Sequence, residues 1–230
     1  LIDDADPTVQ KFIYYLDGDD DGFGASGGLD PGLIVSYYQF YEDIPSMPDV
    51  SSMTPDESRL VSVIDFGDPD YPILGYEDTF IAVYEGQIYI DTAGEQLFAL
   101  TSDDGGLLYI DNNLIIDNDG VHPVETIEGS IFLSEGYHDI KIEFFENYIN
   151  NILVLEWFQD GAFELVPEQV FVHETGIPIE ACFMPLGYSE NAEDCNDINA
   201  TQNPLQIEVC DGLDNDCDSE IDNQPTDGEL

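Results

Sequence analysis

Between Leu33 and Val172 the chain alternates short apolar runs with clusters of turn-forming residues. The alternation is sharpest in Asp139-Ile140-Lys141-Ile142-Glu143-Phe144. There Ile140, Ile142 and Phe144 fall on one face of an extended chain and the charged residues on the other, the period-2 signature of a half-buried strand. Further strands are predicted at Gln87–Ile90, Leu97–Leu100, Leu107–Ile110, Ser130–Leu133 and Ile152–Phe158. Asp103-Asp104-Gly105-Gly106, Asp111-Asn112-Asn113, Asn118-Asp119-Gly120 and Glu135-Gly136 supply the turn chemistry between them. No segment carries an amphipathic helical repeat of useful length. The predicted fold class is therefore all-β, a β-sandwich or barrel.

The flanks have a different texture. Residues 1–30 and 186–230 are rich in Asp, Asn and Gly and poor in β-branched runs, which suits loops organised by metal rather than by a core. Asp3-Asp4-Ala5-Asp6 echoes Asn196-Asp197-Ile198-Asn199, as expected of a partial internal repeat. Three regions are expected: 1–27 as the first part of a split metal-binding segment, 28–176 as the β-sandwich, and 177–230 as a disulfide-containing metal-binding segment.

Charge changes the picture further. Fifty-one acids face three bases, Lys11, Arg59 and Lys141, for a formal net charge of −48. So little basic surface excludes nucleic acid and anionic membrane as direct partners, since both are bound by displacing counterions with Lys or Arg. Self-repulsion on this scale has to be offset by high salt or by bound divalent cations. The crowding of Asp into runs such as 17–21 and 211–222 favours specific cation sites. A handful of calcium ions offsets only about ten charges, so a salty or calcium-rich medium is expected as well.

No stretch is long and apolar enough to span a bilayer. Cys182, Cys195, Cys210 and Cys217 are separated by 13, 15 and 7 residues, which does not suit paired zinc knuckles. Two disulfides formed in an oxidising compartment are expected, with connectivity open, and the sequon Asn199-Ala200-Thr201 is compatible with a secreted chain.

Two loops carry cation chemistry. Asp17-Gly18-Asp19-Asp20-Asp21-Gly22 places carboxylates at positions 1, 3 and 5 with glycine at 6, the first half of an EF-hand-type loop. Position 12 is Gly28 rather than Glu, so the remaining ligands must come from elsewhere. Asp214, Asp216 and Asp218 repeat the same spacing, bracketed by Cys210 and Cys217, a pair placed so that a disulfide between them would hold the loop open. Asp211 and Asp222 flank this second loop.

These residues resemble a known repeat. Tyr15-Leu16-Asp17 through Gly24, Cys182-Phe183-Met184-Pro185-Leu186-Gly187-Tyr188, Asp194-Cys195-Asn196-Asp197 and Cys210 through Asp218 look like the successive segments of the MopE-type metal-binding repeat of secreted bacterial proteins. The resemblance implies metal binding by these segments with the β region inserted between the repeat's two halves, and together with the carboxylate spacing it makes Asp17, Asp19, Asp21, Asp194, Asp197, Asn199, Asp211, Asp214, Asp216, Asp218 and Asp222 the expected calcium ligands.

The inserted region resembles the PA14 domain, a β-sandwich module of toxins, glycosidases and adhesins. Gly32-Leu33 with Tyr37-Tyr38, Leu100-Thr101-Ser102-Asp103-Asp104-Gly105 with Leu108-Tyr109-Ile110-Asp111, Gly136-Tyr137-His138, Phe145-Glu146 and Leu155-Glu156-Trp157 carry the likeness over roughly residues 28–172. In lectin members the paired aspartates join through a cis peptide and hold one calcium that also contacts sugar hydroxyls. Asp103 and Asp104 match that pair. An asparagine from a later loop joins them in those lectins, and Asn147, Asn150 and Asn151 lie in the corresponding region, so Asp103, Asp104, Asn150 and Asn151 are the candidate carbohydrate-binding residues.

Enzyme chemistry finds no support in the motifs. His122, His138 and His173 lack metal-ligand spacing, and nucleophile elbows, P-loops and dinucleotide fingerprints are absent. The expectation is an extracellular or cell-surface, non-enzymatic, calcium-loaded protein. Residues 1–10 look like the tail of a preceding repeat, so sites completed by a neighbouring copy would give a homo-oligomer or head-to-tail fibre. The alternative is a calcium-dependent, glycan-binding adhesin module.

Overall fold

The structure, a computed structural model, describes residues 12–19, 21–24, 28–66, 78–147, 151–175, 178–181, 183–196 and 199–223. In chain order its strands are β1 (Phe12–Leu16), β2 (Gly28–Pro31), β3 (Leu33–Gln39), β4 (Glu57–Val61), β5 (Asp65–Phe66), β6 (Phe80–Ile90), β7 (Gly94–Asp103) and β8 (Gly106–Ile110). There follow β9 (Asn113–Asn118), β10 (Glu125–Leu133), β11 (Gly136–Glu146), β12 (Ile152–Gln159), β13 (Ala162–Leu165), β14 (Phe171–Thr175), β15 (Ile179–Ala181) and β16 (Tyr188–Ser189). A three-residue 3-10 turn, Glu168–Val170, is the one helical element among the described residues. The chain divides into two compact units, residues 31–173 and residues 1–30 with 174–230.

The larger unit is an antiparallel β-sandwich. One sheet runs β10-β7-β12-β13 with β5 on β12; in the other, β14-β6-β11-β8-β9 are neighbours and β3 joins β6 to β4. The alternation read in residues 139–144 is realised in β11, where Ile140, Ile142 and Phe144 are buried. They meet Phe80 and Tyr84 of β6, Phe98 and Leu100 of β7 and Leu153 and Leu155 of β12 in one core. Each such side chain contributes about 1.5–3 kcal/mol on leaving water. The register sets Ile152 opposite Asp103 and Leu153 opposite Ser102, so the start of β12 lies beside the end of β7. At the β8–β9 hairpin Asp111 and Asn112 both take positive φ (49° and 61°), as a two-residue turn matched to strand twist requires.

The smaller unit holds a three-stranded antiparallel sheet, β15-β1-β16. Among its described residues Tyr14, Leu16, Ala181 and Pro185 are buried and apolar, whereas Asp17, Asp194, Gln202, Asn203, Glu208 and Asn215 are buried and polar. So few buried apolar side chains among the described residues, beside so polar an interior, call for another source of cohesion.

Candidate functional site

The buried polar groups of the smaller unit gather around the two Asp-x-Asp-x-Asp loops. In the first, which follows β1, the amides of Asp21 and Gly22 donate to Asp17 Oδ1 and Oδ2 (3.1 and 3.0 Å), wrapping the chain around that carboxylate. Gly22 has a φ of +94°, which lets the backbone turn back here. One carboxylate oxygen from each of Asp17, Asp19 and Asp21 lies within 4.8 Å of the others. The segment after β16 is tied to the loop by backbone bonds: the Gly24 amide donates to Asn191 O (3.1 Å) and the Asp194 amide to Gly24 O (2.9 Å). Asp194 is thereby brought to a cluster about 170 residues earlier in the chain.

This cluster is short of donors. Asp19 Oδ1 and Oδ2, Asp21 Oδ2, Asp194 Oδ2 and Asn191 Oδ1 are all buried without a hydrogen-bond partner. Burial, reinforced by the charges of Asp21, Asp194 and Asp17 and opposed by the nearby amide of Asp21, pushes the Asp19 carboxyl up to about 7. Burial also pushes Asp194 up to about 6, aided by Asp21 and Asp17 and opposed by the amides of Asn196 and Cys195. Bare carboxylate oxygens out of water are costly, and a hard divalent cation, which takes six to eight oxygens at about 2.3–2.6 Å, relieves both the desolvation and the repulsion. The donor set fits such an ion, and Asn191 Oδ1 is a further buried, unpartnered oxygen that carboxylate spacing alone does not reveal.

The second loop has the same local wiring. The amides of Asp218 and Ser219 donate to Asp214 Oδ1 and Oδ2 (3.2 and 2.9 Å). Here the close carboxylate group is Glu208, Asp214 and Asp216. Asp211 Oδ1 accepts the Leu213 amide (2.9 Å), while Asp222 Oδ1 accepts the amides of Asp211 and Gly212 (3.1 and 3.0 Å) and so pins the start of the loop. Asn199 Oδ1 accepts from the Thr201 amide and hydroxyl (3.3 and 2.8 Å) and its Nδ2 donates to Gln202 (2.9 Å), the pattern of an Asx turn. Asp197 lies outside the described residues.

Cys195 and Cys217 form a disulfide, so the bond reaches from beside Asp194 to within the second loop. Cys217 does not pair with Cys210 across its own loop, the arrangement the bracketing cysteines suggested. Cys210 is exposed, and Cys182 lies outside the described residues.

In the larger unit the Asp103–Asp104 peptide is cis, and both side chains are buried. The Asp104 amide donates to Glu146 Oε2 (3.0 Å); Asp104 Oδ1 accepts the His122 amide (3.1 Å) and Oδ2 accepts the amide and Nδ2 of Asn147 (both 3.1 Å). Asn147 is itself locked to Ile44, accepting its amide (2.7 Å) and donating to its carbonyl (2.9 Å). Gly105 closes the turn where a Cβ would stand 2.3 Å from the Phe145 ring. Asn151, next to the Asp103–Ile152 pair, has a buried Oδ1 without a partner, and Asn150 lies outside the described residues. Glu146 and Asn147 thus shape this turn, although neither stands out by spacing.

Comparison with known proteins adds two matches. The chain matches the PA14 domain over residues 29–167 and a metal-binding motif of the copper-binding MopE type over residues 194–223. No curated protein matches it. Among solved structures it is similar to the PA14 domain of the MpAFP antifreeze protein, at 19% identity and a TM-score of 0.55, covering 64% of this chain and 92% of that one. It is also similar to the PA14 sugar-binding domain of an RTX adhesin, at 20% identity and a TM-score of 0.54, covering 62% and 98%. An anti-sigma factor domain-containing protein from Clostridium clariflavum is 26% identical with a TM-score of 0.51, covering 62% of this chain and 47% of that one. No helix among the described residues is long and apolar enough to cross a membrane.

Proposed function

We propose, for a chain that belongs to the PA14 domain family and carries a MopE-type metal-binding motif after that domain, a non-enzymatic adhesive or structural role outside the cell with calcium as part of the fold. The observation that carries the reading is the set of buried carboxylate oxygens without donors at Asp19, Asp21 and Asp194. A unit whose described residues bury so few apolar side chains gains from ions what a core supplies elsewhere. Calcium suits an all-oxygen donor set better than a softer metal does. With −48 charges per chain, copies approach one another only where cations screen or bridge them, so calcium also governs assembly into an oligomer or fibre.

A second reading, calcium-dependent glycan binding at Asp103 and Asp104, is supported by the unpartnered Oδ1 of Asn151 beside that pair and by the sugar-binding domain among the structural neighbours. In that reading Asp103, Asp104 and Asn151 hold the ion, Asn150 is a further candidate ligand, and Asn147 positions Asp104.

Light scattering and a melting curve in millimolar calcium and in chelator test the first reading. Chelation is expected to lower the melting temperature and to dissolve large particles; a melting temperature unchanged by chelation would overturn it. A glycan array in calcium, with Asp103→Ala as the control, tests the second, which fails if no glycan is bound or if the variant binds equally well.

A further inference from the structure

The two Asp-x-Asp-x-Asp loops share the backbone wrapping around their first aspartate, yet they differ at the third. In the first loop Asp21 Oδ2 is buried and bare. In the second, both oxygens of the exposed Asp218 are engaged: Oδ1 accepts the Glu220 amide (2.8 Å) and Oδ2 accepts Asn223 Nδ2 (2.7 Å). The bare oxygen beside the second loop belongs to Glu208 instead. Glu208 is 2% exposed, and its Oε2 is buried with no hydrogen-bond partner. Its Oε1 is anchored by the amides of Asn215 (2.6 Å) and Asp216 (3.1 Å), and its carboxylate lies within 4.8 Å of those of Asp214 and Asp216.

The residues behind this carboxylate are braced. Asn215 is buried, its Oδ1 accepts the Val209 amide (3.0 Å) and its carbonyl accepts the Asn203 amide (3.0 Å). The Cys195–Cys217 bond fixes the next turn of the loop. Asn215 and Cys217 thus flank Asp216 with two rigid points.

We propose that a second hard divalent cation is held between Glu208, Asp214 and Asp216, with Glu208 reaching in from outside the loop as the closing ligand and Asp218 acting as a turn cap. The arrangement parallels the first centre, where Asp194 reaches in from outside to a loop of the same spacing. Each Asp-x-Asp-x-Asp loop therefore receives its buried carboxylate from another part of the chain. The proposal rests on the cation-loaded reading of the smaller unit and assigns the residues of a separate ion.

Calcium titration by calorimetry of the full chelator-treated chain tests it, with E208Q, D216N, D218N and D194N alongside and circular dichroism reporting the fold. E208Q and D216N are each expected to bind one ion fewer than the parent chain, or to bind that ion at least about tenfold more weakly. D218N keeps it, and D194N loses only the other ion. If E208Q fails to fold, D216N, a half-exposed side chain, decides. Full stoichiometry and affinity in E208Q and D216N overturns the assignment while leaving the first centre standing, provided D194N still loses an ion. A parent chain that binds no calcium overturns the assignment together with the reading it rests on.

Discussion

Asp194→Asn separates a ligand set from a merely acidic cluster. The side chain is 1% exposed, and its Oδ1 accepts the Asn196 amide at 2.9 Å, an acceptor role that the isosteric amide keeps. The substitution therefore removes a charge and a good ligand oxygen while leaving packing in place. In chelator, Asp194 is crowded by Asp17, Asp19 and Asp21, so removing its charge relieves repulsion and the metal-free variant is at least as stable as the parent. In calcium the sign reverses. An ion that binds only the folded chain stabilises it by about 2.7 kcal/mol at a hundredfold excess over Kd. A site weakened tenfold gives up about 1.4 kcal/mol of that. At roughly 2–4 °C per kcal/mol for a chain of this length, the calcium-induced rise in melting temperature shrinks by about 3–6 °C. Scanning calorimetry in calcium and in chelator measures both arms. An undiminished calcium-induced rise in the variant, or a variant destabilised equally in both media, would refute the reasoning.

Three further outcomes are expected. Because Asp19 and Asp194 titrate near 7 and 6 in the metal-free fold, well above their unfolded values, the folded chain binds protons that the unfolded chain has lost; metal-free stability rises as pH falls through that window. Calcium affinity falls over the same window because proton and ion compete, and titrations at about pH 8, 7 and 6 that gave one constant affinity would contradict this. Replacing Cys195 and Cys217 together by Ser opens a 22-residue closure and is expected to cost about 3 kcal/mol in calcium, read by denaturant unfolding; no loss would show that the bond does not constrain the unfolded chain. Phe144→Ala, at a fully buried position with its ring centroid 5.9 Å from that of Phe80, is expected to cost about 3–5 kcal/mol by denaturant unfolding, and a loss well under about 1 kcal/mol would show that this ring is not closely packed.

The strands were legible wherever their signal is local. Alternation in residues 139–144 announces β11, and the short apolar runs at 107–110 and 152–158 correspond to β8 and β12. β9 escaped because Leu114, Ile115 and Ile116 run together without alternating, and the structure accommodates them through a register shift between Leu108 and Tyr109. β6 is longer than its predicted core because its first half, Phe80–Tyr84, is buried on both faces, with Phe80, Ala82 and Tyr84 in one cluster and Ile81 and Val83 in another, and such a run shows no period of two.

The spacing of the aspartates by itself determined that two loops would turn their first carboxylate inward, since the amides that wrap Asp17 and Asp214 lie only four and five residues further on. Composition likewise announced flanks rich in Asp, Asn and Gly, whose described residues bury few apolar side chains. Which further groups lie buried and unpartnered beside the loops was decided only by the tertiary structure: Asn191 at the first, Glu208 at the second, with Cys195 as the partner of Cys217. In the sequence, Asp194 already stands out by its Asp-Cys-x-Asp segment, whereas Glu208 is one acid among 51 and nothing in its immediate neighbours sets it apart from the solvated ones. Burial separates it. A carboxylate is compelled to find a cation or a proton only when the fold removes it from water, and that removal depends on chain segments that meet after long loops have closed.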